Sequence, residues 1–225
     1  MKEDNLSRKV TPEIIAKLEA IVGKDNVNTS EMDRMLYGHD LAPLPKEAGF
    51  AFKNMPDVIV RPSTVEQISK IASLAFKTGV AITPRGASTW GLGGSMPTAG
   101  GILIDMSSKM NKVHCVDKVN MCVKADAGCT WKQIMEACDK EGLFVGSTPS
   151  SFPSATLGGW ISTGGIGIGG YKYGGARDNL RPEVPGLPVH LQVPRRHLCS
   201  KRRHNGLPGR ASGTCAHQSH RCPAD

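Results

Sequence analysis

Glycine makes up half of the chain between residues 158 and 175, nine positions of eighteen, and no other feature limits the fold as strongly. The run is part of a longer segment, Thr148 to Gly175, that reads TPSSFPSATLGGWISTGGIGIGGYKYGG. Glycine is costly in backbone entropy, so a dense run is favoured where the chain adopts positive φ or turns its N–H groups to an anion. A second such segment, TPRGASTWGLGG, runs from Thr83 to Gly94. We interpret these segments, the first glycine loop (83–94) and the second glycine loop (148–175), as two halves of one ligand cradle.

Helix and strand signals alternate through the first part of the chain. Residues 11–23 predict a helix opened by a capping threonine and a proline and ended by a glycine. Residues 63–79 predict a second helix, opened by a capping box at 63–66. Its predicted apolar face consists of Val65, Ile68, Ile71, Ala72 and Ala75. Strands are predicted at 57–60 and 80–83, and because a strand–helix–strand unit of this length crosses over, they are expected to be parallel.

The next part of the chain has a different pattern. Residues 101–105, 112–117 and 119–125 predict three more strands, and alternation in the last of them is typical of antiparallel pairing. A capping box at 130–133 opens a helix that ends at Gly142. The layout is α+β, and both glycine loops follow elements able to direct them into one cleft.

Composition limits the class of protein. At 225 residues and 39% hydrophobic, the chain holds one large or two small domains with an ordinary core. A charged N-terminus and the lack of an apolar run of about eighteen residues predict a cytoplasmic protein with no membrane span. Seven cysteines, an odd number without C-x-x-C spacing, favour reduced thiols. The first four, Cys115, Cys122, Cys129 and Cys138, are expected to be small buried apolar residues.

The last 45 residues differ in composition from the rest. Residues 181–225 carry eight of the 28 Lys and Arg against two acids, and five of the seven His. We find neither helical nor strand periodicity over a useful length there. The expected organisation is therefore an N-terminal helical segment at 1–34, a folded domain at 35–180, and a disordered or non-native basic tail at 181–225.

The first glycine loop contains the chemistry of a diphosphate site. Residues 85–89, Arg-Gly-Ala-Ser-Thr, combine a guanidinium, a glycine and two hydroxyls in one turn. Alone, this turn is equally well explained by an arginine that pairs with a surface acid, but a second loop rich in glycine and hydroxyls favours a dinucleotide. No Gly-Lys-Ser/Thr P-loop is present, and the G-x-G at 165–167 has no amphipathic helix after it, which disfavours a Rossmann domain.

Several ordered motifs give the chain a resemblance to a known family. They are PDVIVRPSTVEQISKI (56–71), AITPRGAST (81–89), GGILIDMSSKMNKV (100–113), ADAGCTW (125–131), TPSSFPSATLGGWISTGG (148–165) and KYGGARDNL (172–180). Together they resemble the FAD-binding domain of the FAD-linked oxidases of the vanillyl-alcohol oxidase type, most of all the glycolate oxidase and D-lactate dehydrogenase flavoprotein branch. The resemblance covers residues 35–180 and implies a two-subdomain α+β FAD-binding domain, here incomplete, with an irregular C-terminal tail.

The resemblance also implies which residues hold FAD, and non-covalent binding is expected because the first glycine loop has no histidine. The residues implied for the diphosphate are Arg85, Gly86, Ala87, Ser88 and Thr89. Those implied for the ribityl and flavin side are Pro149, Ser150, Thr156, Gly158, Gly159, Ser162, Thr163 and Gly165, with Tyr173 and Gly174 closing the turn. Trp160 stands where the commoner form of the family has asparagine.

The chemistry implied by the family is removal of a hydride from a 2-hydroxy acid, such as glycolate or D-lactate, to the flavin. An electron-acceptor protein or subunit would then be a partner. The family's substrate-binding part follows the position of Leu180 and is not recognisable here, so the chain is expected to be C-terminally truncated and no catalytic residue is named. We hypothesise that the tail is translated from a shifted reading frame, which resequencing the locus would test.

One alternative interpretation stays open, and two others are disfavoured. Without turnover, the chain would be an inactive flavin-binding remnant. The basic tail offers phosphate contacts to nucleic acid, but no aromatic residue follows Tyr173 to stack a base, so no nucleic-acid partner is expected. Cys215, His217, His220 and Cys222 match no zinc-ligand spacing, so no metal site is predicted.

Overall fold

The computed structural model describes residues 8–41, 54–180 and 189–193, which form two subdomains of mixed helix and sheet. The predicted α+β class is confirmed. None of the helices in these three ranges is long and apolar enough to cross a bilayer.

Three parallel strands form the centre of the first subdomain. They are β2 (Val58–Val60), β3 (Ile82–Arg85) and β4 (Ile102–Asp105). β4 lies between the other two, and a short strand, β1 (Val27–Asn28), pairs antiparallel with β2. The predicted parallel direction of β2 and β3 is confirmed, since both run parallel to β4. Their separation by β4 was not predicted, because a crossover fixes the direction of a strand but not how many neighbours it skips.

Two helices, α1 (Pro12–Val22) and α3 (Val65–Thr78), pack on one face of this sheet, and a short helix, α2 (Glu31–Leu36), follows β1. The core between helices and sheet consists of Ile14, Leu18, Val22, Val58, Val60, Ile71, Ala75, Val80, Ile102 and Ile104. On the opposite face, Ile59 and Leu103 are also fully buried. Burial on both faces explains why β2 and the first three residues of β4 are apolar, whereas β3, at the edge of the sheet, contains Thr83, Pro84 and Arg85.

Helix α3 begins one residue later than predicted. Its N-cap is Thr64 rather than Ser63, and the Thr64 hydroxyl accepts a hydrogen bond from the Gln67 N–H at 3.3 Å. Both pairs have the spacing of a capping box, so local sequence did not decide between them. Ala72, predicted to face the core, is exposed, and Leu74 packs against the core instead.

The second subdomain contains an antiparallel sheet. Its strands are β5 (Val113–Asp117), β6 (Cys122–Ala125) and β7 (Val189–Gln192), in that spatial order. The helices are α4 (Trp131–Lys140), α5 (Leu157–Ser162) and α6 (Gly170–Tyr173). The capping box predicted at Thr130 and Gln133 is confirmed. α5 and α6 lie within the second glycine loop, where glycine content concealed them.

The tail predicted to be irregular from residue 181 contains strand β7, which corrects that prediction. Residues 189–192 pair with all four residues of β6. Leu191 and Val193 are buried in the second subdomain. The alternating apolar pattern of residues 189, 191 and 193, bounded by Pro188 and Pro194, was the signal for a strand. The rest of the tail, including the cysteine and histidine pattern at 215–222, lies outside the described residues.

The predicted reduced, buried cysteines are confirmed at three positions and wrong at one. Cys122, Cys129 and Cys138 are buried reduced thiols. Burial raises the pKa of Cys129 to about 11 and that of Cys138 to about 12, so both are protonated, unreactive packing residues. Cys115, which is less buried, is disulfide-bonded.

Gly101, just before β4, has no space for a side chain. Its φ is +76°, and a Cβ would lie 2.3 Å from the carbonyl oxygen of Ala81, whereas Gly142, with a φ of +71°, has nothing within 4 Å of that position. We expect Gly142→Ala to lower the free energy of unfolding by about 1 kcal/mol, from left-handed strain alone. Gly101→Ala adds a backbone clash and is expected to cost about 3 kcal/mol. Urea denaturation measures both losses, and equal losses would contradict the packing argument.

Candidate cofactor-binding site

The two glycine loops lie against each other. Gly86, the residue after β3, approaches Thr156 so closely that a Cβ would lie 2.2 Å from Thr156 Oγ1. Nearby, the Ser151 hydroxyl donates a hydrogen bond to Thr89 Oγ1 at 3.4 Å. Because Thr156 caps α5, these contacts join the first subdomain to the second. The predicted halves of the cradle therefore meet in the structure.

The first glycine loop leaves its main-chain donors open. Within the described part of the chain, the N–H groups of residues 86–89 have no hydrogen-bond acceptor. Ser88 has a φ of +54°, which is uncommon for a residue with a side chain, and its hydroxyl forms a 2.8 Å hydrogen bond with that of Ser95. A left-handed residue within a turn curls successive N–H groups to one side, where they hold an anion. This loop fits the diphosphate of a dinucleotide.

The second glycine loop uses its glycines differently from the prediction. The N–H groups of seven of the nine glycines between 158 and 175 donate to acceptors within the protein, so they are not bare anion donors. Gly158 donates to the Ala127 carbonyl at 2.7 Å and touches the Ala127 side chain. The glycines are needed for close packing.

Trp160 explains much of that packing. Its indole is buried in the core of the second subdomain and meets Trp131 edge to face, with ring centroids 6.3 Å apart. A Cβ on Gly165 would lie 2.4 Å from this indole, and one on Gly167 would lie 2.9 Å from it. Trp160 is therefore a core residue, and any residue larger than glycine at these two positions would displace its ring.

The remaining predicted residues of the second loop divide into two groups. Pro149 is buried, Ser150 is exposed, and the exposed Ser162 and Thr163 donate their hydroxyls to the carbonyls of Gly158 and Trp160. This first group lies before α5, on it or at its C-cap, together with Gly159, whose N–H donates to Thr156 Oγ1 at 3.4 Å.

Tyr173 and Gly174 form the second group and pack against residues on either side of the second loop. The Tyr173 ring meets Phe144 edge to face at 5.4 Å. Gly174, with a φ of +79°, lies against Asp178. The Asn179 side-chain amide donates to the carbonyls of Tyr173 and Gly175, at 3.0 and 2.7 Å, and so holds the turn.

Arg85 has contacts other than those predicted. Its guanidinium donates to the Tyr37 carbonyl at 3.0 Å and lies 5.2 Å from the centroid of the Tyr37 ring. Burial lowers the pKa of Arg85, and the nearby Tyr37, Asp105 and Asp40 partly offset that effect. The Arg85 side chain thus holds the start of the first glycine loop, while the main chain of the residues that follow forms one side of the predicted cradle.

Asp105, missed by sequence reasoning, is the centre of a polar cluster behind the first glycine loop. It lies at the carboxyl end of β4, is 1% exposed, and accepts a hydrogen bond from the Tyr37 hydroxyl at 2.7 Å. Arg61, which follows β2, has its Nε 3.7 Å from the same carboxylate. Charged residues at the carboxyl ends of three predicted strands were the available signal, because the carboxyl ends of parallel strands meet at one edge of a sheet.

The hydrogen bonds of the cluster keep Asp105 ionised. Burial alone raises its pKa, but donors from Ser108, Tyr37 and Ser107 outweigh burial, so the pKa lies below its ordinary value. The same arrangement raises the pKa of Tyr37, first through burial and then through its hydrogen bond to Asp105. The protonated phenol of Tyr37 and the charged carboxylate of Asp105 thus form a fixed support for the first glycine loop.

Comparison with known proteins agrees with this geometry. Residues 56–182 match the family described as FAD binding domain. The chain is 31% identical over 182 residues to glycolate oxidase subunit GlcD of Bacillus subtilis, covering 81% of this chain and 36% of that protein. It is 32% identical over 181 residues to D-lactate dehydrogenase of Anaerostipes hadrus, covering 80% and 36%. The chain thus spans about a third of the length of these curated relatives.

An enzyme of one name is found both among the sequence relatives and among the solved structures. Alkyldihydroxyacetonephosphate synthase of Dictyostelium discoideum is 31% identical over 175 residues, covering 76% of this chain and 28% of that protein. A crystal structure of an alkyldihydroxyacetonephosphate synthase superposes with a TM-score of 0.73 at 25% identity, covering 84% of this chain and 40% of the other. p-Cresol methylhydroxylase shares the fold, with a TM-score of 0.61 at 21% identity over 72% of this chain and 32% of the other.

Replacing Asp105 by asparagine tests the support for the loop. Because the folded-state pKa of Asp105 lies below its unfolded value of about 3.9, its carboxylate stabilises the protein above about pH 4, and this stability is lost as the pH falls through the folded-state pKa. We expect Asp105→Asn to lower the free energy of unfolding by about 2 kcal/mol at pH 7, with a smaller loss below about pH 4.

Glu136→Gln, at an exposed carboxylate on α4, should change the free energy of unfolding by less than about 0.5 kcal/mol. Urea denaturation across the pH range measures the difference, and a pH-independent loss would argue against the ionised carboxylate.

Proposed function

The chain belongs to the FAD binding domain family, and on that premise we propose that it is the FAD-binding part of an oxidoreductase that oxidises a 2-hydroxy acid such as glycolate or D-lactate. The cofactor of the family is FAD. The substrate class is supported by the relatives GlcD and D-lactate dehydrogenase, both slightly above 30% identical. The observation that carries the proposal is the meeting of two glycine loops, one of which has four successive N–H groups without an acceptor among the described residues.

In this proposal FAD binds non-covalently, with its diphosphate at the first glycine loop and its ribityl and flavin side along the second. The diphosphate residues are Gly86, Ala87, Ser88 and Thr89, with Arg85 holding them from behind. Pro149, Ser150, Thr156, Gly159, Ser162 and Thr163 supply the facing wall, and Gly158, Gly165, Tyr173 and Gly174 shape it. A neutral main-chain donor set suits an anion because it holds the charge without a counterion that must be desolvated.

The contribution of this chain to the reaction is to bind and orient. FAD, when bound, accepts a hydride from the carbinol carbon of the substrate and passes the electrons to a further acceptor. The open N–H groups fix one end of the cofactor, and the packed second loop limits how the other end can lie. A cytoplasmic location and an electron-acceptor protein as partner are parts of the same proposal.

An activity like that of alkyldihydroxyacetonephosphate synthase is the second candidate. Its support is the occurrence of this enzyme both among the sequence relatives, at 31% identity, and among the solved structures, at a TM-score of 0.73. A third candidate, a flavin-binding remnant without turnover, needs no residue beyond those described.

Gly86→Ala tests the contact between the loops. The new methyl group would displace Thr156, so we expect FAD affinity to fall about tenfold or more, corresponding to about 1.4 kcal/mol. Gly94→Ala, in the same loop with nothing within 4 Å of its Cβ position, should leave affinity unchanged. Isothermal titration with FAD measures both variants.

Removal of the opposing side chain provides a further control. In Gly86→Ala/Thr156→Ala the obstructing hydroxyl is absent, so affinity should recover in part, while loss of the α5 cap costs about 1 kcal/mol of stability. If Gly86→Ala bound FAD as tightly as Gly94→Ala, the two loops would not form one cradle.

The visible spectrum of the purified chain with FAD distinguishes the candidate functions. Under anaerobic conditions we expect the chain to take up FAD and show oxidised-flavin absorbance, and bleaching of that absorbance by glycolate or D-lactate would identify a 2-hydroxy acid as the substrate, because hydride transfer reduces the flavin. Retained absorbance that no 2-hydroxy acid bleaches would favour the remnant or the synthase, and formation of alkyldihydroxyacetonephosphate would then separate these two. A chain with no affinity for FAD would contradict the proposed function.

A further inference from the structure

The turn that follows α2, residues 37–40, contacts the first glycine loop near both of its ends. At the near end, the Tyr37 carbonyl accepts the hydrogen bond from Arg85 at 3.0 Å. At the far end, the Asp40 carboxylate accepts a hydrogen bond from the Gly93 N–H at 2.7 Å. The open N–H groups of residues 86–89 lie between these two anchored points.

Asp40 is well placed for this contact. Its side chain is buried, with 8% of the residue exposed, and Gly93 has a φ of +79°, a conformation that glycine adopts readily. A bond from a main-chain N–H to an ionised carboxylate is shorter and stronger than one between neutral groups. Burial shields it further, because water competes poorly there. The Arg85 guanidinium lies close enough to sense the charge of Asp40.

Anchoring at both ends reduces the conformational freedom of the first glycine loop. An exposed segment rich in glycine samples many conformations, and ordering it on ligand binding costs entropy that weakens affinity. A segment anchored at both ends loses most of that freedom before the ligand arrives. A carboxylate that touches no part of the ligand can therefore raise affinity for it.

We propose that Asp40 is a positioning residue that holds the first glycine loop in the shape that receives the FAD diphosphate. The inference rests on the proposed function only in naming FAD as the ligand. In this proposal Asp40 acts through its hydrogen bond to Gly93.

Three variants of the full chain test it. Asp40→Ala removes the acceptor, and Asp40→Asn keeps an oxygen acceptor without the charge. Asp117→Ala is the matched control, since Asp117 is a buried carboxylate that accepts the N–H groups of Val119 and Asn120, at 2.8 and 2.9 Å, in a turn of the second subdomain. Amide hydrogen exchange of residues 86–93 and FAD affinity are measured for each, along with the free energy of unfolding.

We expect Asp40→Ala to accelerate exchange in residues 86–93, most at the Gly93 amide, by tenfold or more, and to weaken FAD binding about tenfold. Asp40→Asn should keep exchange and affinity within about threefold of the wild type, because the hydrogen bond is retained. Asp117→Ala should lose stability without either change.

The outcomes separate this proposal from the proposed function. Unchanged exchange in the loop of Asp40→Ala overturns the positioning role whether or not FAD binds. Equal acceleration by Asp117→Ala also overturns it, because the effect would then be general loss of stability. Faster loop exchange in Asp40→Ala, with no FAD binding by the wild type, supports the anchoring and contradicts the proposed function.

Discussion

The close approach of Gly86 to Thr156 is the constraint from which the site follows. A single methyl group at residue 86 would meet the Thr156 hydroxyl at 2.2 Å. The two residues belong to different subdomains, one after the last residue of β3 and the other at the cap of α5. Because the contact sets how near the loops come, it also sets the width of the cradle that we propose they form.

Glycine has two separate roles in this cradle. In the first loop, the N–H groups of residues 86–89 have no acceptor among the described residues, and side chains behind the loop hold its start and its end. In the second loop, glycine lets the chain pack against Trp160, Ala127 and Asp178, and most of its N–H groups are used internally. One loop therefore offers donors, and the other provides a rigid facing wall.

Charge is arranged behind the loop rather than within it. Arg61, Arg85 and Asp105 meet at the carboxyl ends of three parallel strands, with Tyr37 between them. The cluster orders the backbone that follows each strand, which is where ligands of open α/β sheets commonly bind. A domain of this kind holds a cofactor, and the part of the chain that matches its relatives covers about a third of their length.

The sequence by itself determined the elements whose signals are local. The capping box at Thr130, the apolar runs of β2 and β4 and the two glycine loops could all be read from it, as could the family that the ordered motifs resemble. Tertiary structure decided the rest: the place of β4 between β2 and β3, strand β7 in a segment that looked irregular, the disulfide of Cys115, and the burial of Asp105 and Asp40. The reason is that a glycine-rich sequence looks the same whether its N–H groups lack acceptors or form hydrogen bonds within the protein. Which of the two occurs depends on partners distant in sequence, such as Ala127 for Gly158 and Asp40 for Gly93.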